Sequence, residues 1–304
     1  MIKAAELITL ILAILLIIAL GFLAKKAKLL QKEDAQKINE IIFYFTLPAF
    51  VFLAILKAHL DLSLVLIPIF ALAISLISAG IAFAVGRNWV APATLGGFIL
   101  ASSVGNTGYL GFPITREIFG EANVIKAVFY DHLGTVVFIF TLGLLVAETY
   151  GESNGKISRL KELLTFPPLL AMIAAFLLRG VVLPAFLLTS LKYLSDATIP
   201  LIMFSLGLTL EPGKAGKYKL ILFLLILIKL FLGPALVIMS SKFVSLPPVT
   251  LGVLILEAGM PTALISLVFG LRYKLDMDFL PAAIMVTTLV SMVTIPLWQV
   301  VLSR

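Results

Sequence analysis

Ala101-Ser-Ser-Val-Gly-Asn-Thr-Gly-Tyr-Leu-Gly-Phe-Pro113 lies inside a long apolar run, and it is not the sequence of a regular helix. Interior glycines such as Gly105, Gly108 and Gly111 cost about 1 kcal/mol each, and a proline such as Pro113 about 3. A second stretch, Glu257-Ala-Gly-Met-Pro-Thr262, brings a glycine and a proline to the middle of another apolar run. The two stretches are related by register. Pro92-Ala-Thr-Leu-Gly96 lies over Pro248-Val-Thr-Leu-Gly252 at an offset of 156, which sets Gly105-Asn106 opposite Pro261-Thr262. Thr46-Leu-Pro48 over Thr198-Ile-Pro200, at an offset of 152, follows in the same order. Paired matches of this kind are the trace of a duplicated membrane protein.

A transmembrane helix needs about 20 apolar residues to cross a hydrocarbon core about 30 Å thick. Cut on that rule at its charge and Gly/Pro clusters, the chain gives ten runs: 7–24, 38–56, 62–85, 92–114, 124–147, 166–184, 191–210, 220–240, 248–271 and 279–302. The broken stretches fall in the fourth and ninth. Lys25, Lys26 and Lys28 follow the first run and no small-residue cleavage site does, so it reads as a span and not a signal peptide. The longest polar connection falls near the middle, which divides the chain into a first five-helix repeat (1–150), a cytoplasmic linker (151–163) and a second repeat (164–304). An odd number of spans per repeat makes the second copy enter from the opposite side. The expected fold class is therefore an all-α membrane protein with ten transmembrane helices, two inverted five-helix repeats and broken, crossing fourth and ninth helices. Fourteen of the 23 Lys and Arg residues lie in connections after odd-numbered runs, which puts those connections in the cytoplasm and both termini outside the cell membrane.

Composition excludes other classes. Of 304 residues, 61% are hydrophobic and 13% charged, with a mean hydropathy of +1.15; soluble domains carry about 45–50% and 25%. The net charge of +7 is spread through short connections, which argues against nucleic acid as a partner. The absence of cysteine removes disulfides, thiolate metal sites and cysteine nucleophiles. No phosphate loop, Gly-x-Ser-x-Gly elbow or His-Glu-x-x-His motif occurs, so neither an enzyme nor a cofactor is expected.

Backbone opened at mid-membrane is tolerated only where protein buries it or it lines a wet cavity, and a corresponding pair of broken helices points to a transporter's binding site. Amides at half-helix N-termini attract a carboxylate and freed carbonyls a cation. The candidate substrate-binding residues are Asn106, Thr107, Gly105, Ser103, Pro261 and Thr262. The competing reading is that the small residues only let helices approach closely, which does not call for Pro261 or Asn106. Ionisable groups deep in a span mark function or a buried pair. Glu257, Asp131 and Lys229 are the candidates for ion coupling, with H+ or Na+ as the ion and Glu257 as the possible sodium ligand; a structural Lys229–Glu257 pair is the alternative. His132 reads as a packed polar residue, since the other histidine, His59, sits in a loop; no metal site is expected. Lys25 through Lys37 reads as a cytoplasmic linker and Arg116-Glu117 as an interfacial pair.

Gly105-Asn-Thr-Gly-Tyr-Leu-Gly-Phe-Pro113, followed by Ile118-Phe-Gly120, resembles the fourth-helix signature of the auxin efflux carrier family, whose prokaryotic members are implicated in dicarboxylate transport. The resemblance spans the full length and implies ten spans, crossing broken helices, scaffold and transport subdomains that work as an elevator, and a homodimer. Carried over by position, Asn106 contacts the substrate carboxylate and Pro261 marks the second crossover. Plant members place Pro before that Asn where this chain has Gly105, which loosens the first crossover and removes auxin as a safe assignment. Glu257-Ala-Gly-Met is also similar to the ninth helix of the bile acid:sodium symporters, where an acidic residue binds sodium. The function expected is secondary transport of a small organic anion such as malate, malonate or an auxin-like acid. The alternatives are a sodium-coupled carrier of a different organic anion, an intramembrane enzyme around Asp131, His132 and Glu257, and a channel or non-transporting membrane sensor.

Overall fold

Hydrocarbon offers no partner to backbone N–H and C=O groups, so a chain this apolar satisfies them within helices. The computed structural model describes residues 4–56, 58, 63–152, 164–209 and 216–302. Its helices are α1 (Ala4–Lys26), α2 (Glu33–Leu56), α3 (Ser63–Gly86), α4 (Pro92–Ser103), α5 (Phe112–Phe119), α6 (Glu121–Tyr150), α7 (Pro167–Leu177), α8 (Ala185–Thr209), α9 (Gly216–Ser240), α10 (Pro248–Ala258), α11 (Ile265–Arg272) and α12 (Phe279–Leu302). Helices α2, α3, α6, α9 and α12 are long and apolar enough to cross a membrane, while α7 and α10 are shorter apolar helices. The chain is a multi-pass helical membrane protein.

The ten runs do not become ten continuous helices. The fourth and ninth are each cut in two, as α4 and α5 and as α10 and α11. The sixth stops at Leu177, ahead of Gly180 in the left-handed region (φ +83°) and Pro184. The segment from Lys25 to Lys37 is only partly a linker. Lys28 turns the chain at φ +58°, the Gln31 backbone N–H donates to the Asp34 carboxylate at 2.8 Å, and helix resumes at Lys32. Five π turns widen the described helices, at Ile42–Thr46, Thr107–Gly111, Asp131–Thr135, Ile139–Gly143 and Leu227–Leu232. Such turns are enriched at functional sites, and three of these carry Thr107, Asp131 and Lys229. The connection 153–163 and His59 lie outside the described residues.

Contacts divide the chain into two units. The first comprises Met1–Leu60, Arg116–Ile125 and Lys161–Leu210; the second comprises Asp61–Thr115, Lys126–Leu160 and Glu211–Arg304. In the first, α8 packs on α1 and on α2, and α7 packs on α2. Lipid tails are as apolar as the helices, so association relies on close van der Waals fit between small residues. Gly21 and Gly207 provide it: a Cβ on Gly21 would lie 2.1 Å from the Phe204 carbonyl oxygen, and one on Gly207 2.0 Å from that of Ile18. The Arg179 guanidinium closes the end of α2, donating to the carbonyls of Ile55 at 2.9 Å and Ala58 at 2.7 Å. A cation there complements the negative end of the helix dipole.

In the second unit α4 packs on α3, and α9 packs on α10 through a glycine fit, where a Cβ on Gly233 would lie 2.6 Å from the Ala258 carbonyl oxygen. Asp276 organises one end. Its carboxylate accepts from Thr94 Oγ1 at 2.6 Å, from the Tyr218 hydroxyl at 2.9 Å, and from the Asp278 and Phe279 amides at 3.0 Å, capping α12. Partial burial pushes the Asp276 carboxyl up, but the bonds from Thr94, Tyr218 and the two amides outweigh it and hold the group below its ordinary value.

Replacing Gly207 by Ala forces a methyl against backbone. The Gly207→Ala protein should lose about 1–3 kcal/mol by overpacking and melt at a lower temperature in detergent. Gly80→Ala should melt like the parent, because a Cβ at Gly80 meets nothing within 4 Å. Removing the cap by Asp276→Ala should cost about 1 kcal/mol. Because Asp276 is held below its unfolded value, its contribution is present above about pH 4 and lost as pH falls through the folded value. Acidification below about pH 4 should therefore lower the melting temperature less in Asp276→Asn than in the parent.

Candidate functional site at the crossing of the two broken helices

All the groups of the site belong to the second unit. Helix α4 ends at Ser103 because the next residues leave helical geometry: Val104 is extended (φ −102°, ψ 108°) and Asn106 sits at φ −79°, ψ 53° before helix resumes at Thr107. Helix α10 ends at Ala258, ahead of Gly259 and of Pro261, whose nitrogen has no proton to donate. The two gaps meet. Gly105 and Thr262 form an antiparallel bridge, in which the Asn106 backbone N–H donates to the Pro261 carbonyl at 2.7 Å and the Ala263 backbone N–H to the Val104 carbonyl at 3.0 Å. Each break thus satisfies backbone groups that the other exposes.

Side chains complete the joint. Thr262 Oγ1 donates to the Ala101 carbonyl at 2.9 Å, closing the end of α4, while the Thr262 amide donates to Thr287 Oγ1 on α12 at 3.1 Å. Ser103 Oγ turns back to the Ile99 carbonyl at 2.7 Å. Thr107 Oγ1 donates to Asp131 Oδ1 at 2.5 Å and lies 3.3 Å from Thr135 Oγ1; Asp131 Oδ2 is 2.9 Å from His132 Nδ1. The Asn106 side chain is buried, at 5% exposure, and makes no hydrogen bond among the described residues. Of the six residues expected to line a site, the crossing brings all together, but it commits the hydroxyls of Ser103, Thr107 and Thr262 to the protein and leaves the Asn106 amide available.

The ionisable groups surround the same segment. Glu257 is fully buried; its Oε1 accepts from Thr115 Oγ1 at 3.0 Å and its Oε2 has no hydrogen-bond partner. Its carboxyl group occupies the space that a side chain at Gly111 would fill, since a Cβ there would lie 2.1 Å from Oε2. Lys229, on the π turn of α9, is buried with Nζ beside Gly105, where a Cβ would lie 3.0 Å from it. Among the described residues Lys229 and Glu257 make no ion pair within 4 Å, although each lies within the other's electrostatic reach. The Arg116-Glu117 pairing is corrected as well: Arg116 lies 3.7 Å from Asp196 and 4.0 Å from Glu121. Adjacent helix residues point to different faces.

Sequence reasoning missed Thr115, Thr135 and Thr287. The first had a readable signal, since Thr115 follows Gly111 by four residues and therefore shares its helix face. Thr287 had none, because only packing carries α12 to the break.

A family model described as "Membrane transport protein" matches residues 6–299. An "Uncharacterized transporter" of Methanocaldococcus jannaschii is 34% identical over 299 residues, covering 95% of this chain and 96% of that one. A "Putative malonate transporter" of Rhizobium meliloti is 27% identical over 305 residues, covering 96% of this chain and 94% of its own. A "Probable auxin efflux carrier component 1c" of Oryza sativa is 30% identical over 112 residues, 36% of this chain and 19% of that one. With a match from one end of the crossing helices to the other, the chain belongs to the membrane transport protein family, that of the auxin efflux carriers.

Proposed function

We propose that the chain is a secondary active transporter that moves a small organic anion, a carboxylate such as malonate or malate, by alternating access at the crossing of the two broken helices. The observation that carries the reading is the pairing of the breaks at Gly105 and Thr262 with the buried Asn106 amide left unpartnered among the described residues. A regular span satisfies its own backbone; an opened one that places an uncommitted amide beside a half-helix N-terminus offers donors to a carboxylate. The name of the Rhizobium meliloti relative supports malonate as the first anion to try. The division of the chain supports moving parts. One unit takes the first two runs of each half and the other takes the last three, as expected of scaffold and transport subdomains in an inverted repeat.

In this reading Asn106 donates to the carboxylate and Pro261 keeps its crossover open. Glu257 and Asp131 are the coupling groups, each able to exchange a proton or a sodium ion as access alternates. Both termini lie outside the cell, and the protein works as a homodimer in the cell membrane.

Uptake of labelled malonate, malate and indole-acetate into proteoliposomes tests the reading. Saturable, counterflow-capable uptake is expected under an imposed proton or sodium gradient. Hydrogen bonds to a charged group contribute about 1.5–3 kcal/mol, so Asn106→Ala should lower the affinity about ten- to hundredfold. Glu257→Gln should abolish the gradient dependence while leaving counterflow. Absence of flux for every carboxylate under both gradients, with the protein folded, would reject the anion carrier. Orientation is tested separately, since the chain has no native cysteine. A membrane-impermeant maleimide added to intact cells should label Ser303→Cys and not Ser153→Cys.

A further inference from the structure

Lys229 is the charged residue that the crossing leaves without an explanation. It lies on an apolar helix, 4% exposed, and the π turn Leu227–Leu232 carries it. An ammonium has three donors, and among the described residues none of them meets a hydrogen-bond acceptor or an ion-pair partner. The acidic groups nearest to the crossing make their contacts elsewhere, and Glu257 acts on the ammonium only from beyond ion-pair distance. Glu257 is bound by Thr115 and pressed against Gly111, six positions along the chain from Gly105, while Asp131 accepts from Thr107 and lies against His132. A buried cation with no contacting partner is expensive to keep, and the longer-range pull of Glu257 leaves its three donors unfilled.

Its position points to a ligand. Nζ lies 3.0 Å from where a Cβ at residue 105 would be, so the ammonium is packed closely against the opened backbone at Gly105. The next residue is Asn106, whose amide is likewise unpartnered among the described residues, and the helix that resumes at Thr107 and runs through α5 turns its positive end to the same place. Three sources of positive potential or hydrogen-bond donation therefore converge on one segment, with no acceptor supplied for two of them.

We propose that Lys229 is a substrate-binding residue, its ammonium pairing with a carboxylate of the transported anion at Gly105-Asn106. The assignment rests on the anion-carrier reading and moves Lys229 out of the coupling set. A Cβ at residue 105 would touch the ammonium and shift it by a few tenths of an ångström.

Two readouts on the purified full-length protein in detergent test it: calorimetric binding of malonate, malate and indole-acetate, and the melting temperature with and without each acid. Truncating one partner of a buried charge pair weakens binding by about thirtyfold or more, so Lys229→Met should show that loss and Lys229→Arg should recover part of it. Without any acid, Lys229→Met should melt at or above the parent temperature, because methionine replaces a charge that has no partner. Binding by Lys229→Met equal to that of the parent would overturn the assignment while leaving the carrier reading intact. A melting temperature several degrees below the parent in the absence of acid would overturn it too, by showing that Lys229 holds the fold together. A parent protein that binds none of the three acids would remove both the assignment and the reading on which it rests.

Discussion

The structure depends on the exchange of two backbone hydrogen bonds between the broken helices, Asn106 to Pro261 and Ala263 to Val104. In water a break of this kind would be trivial, since solvent would satisfy the freed groups. In a low-dielectric interior an unsatisfied peptide group costs several kcal/mol, so neither break is tolerable alone. Each is the other's solvent. The consequence is a short irregular segment held in one place by the rest of the unit, with its side chains presented at the point where two helix ends face one another.

Everything around the joint serves that placement. Thr262 ties the break to α4 through the Ala101 carbonyl, and Thr287 ties it to α12. Gly111 lets the Glu257 carboxyl enter the space beside the resumed helix, and Gly105 does the same for the Lys229 ammonium. Glycine is used here for the side chain it lacks, not for an unusual backbone angle: each position admits a charged group from a neighbouring helix. Elsewhere glycine has a different use. At Gly21 and Gly207 it brings two helix backbones into contact, which is the main source of helix association where lipid competes on equal terms for apolar side chains.

The hydroxyl groups of the site are satisfied within the protein. Ser103, Thr107 and Thr262 read in the sequence as substrate contacts, yet each donates to a carbonyl or carboxylate of the protein. A hydroxyl in a helix finds a nearby carbonyl at little cost, whereas a carboxamide or an ammonium needs more partners than one turn provides. That difference leaves the Asn106 carboxamide and the Lys229 ammonium without hydrogen-bond partners among the described residues, while the three hydroxyls have them.

The sequence by itself determined the membrane class, the helical content and the positions of both breaks, because these follow from local chemistry: apolar length, glycine, proline and the absence of charge. It also set Gly105-Asn106 against Pro261-Thr262 through the register of two matching segments, and the bridge forms between Gly105 and Thr262. It did not determine which runs would be continuous. The sixth run extends through Leu178 to Pro184, whereas the helix stops at Leu177, with Gly180 in the left-handed region and the Arg179 guanidinium turned to the end of α2. Nor could it distribute partners among the buried charges. Lys229 and Glu257 look like a pair by composition and depth, and the tertiary structure sends one to Gly105 and the other to Thr115. Partner choice between helices far apart in the chain depends on crossing geometry over a few ångströms, which no local pattern encodes.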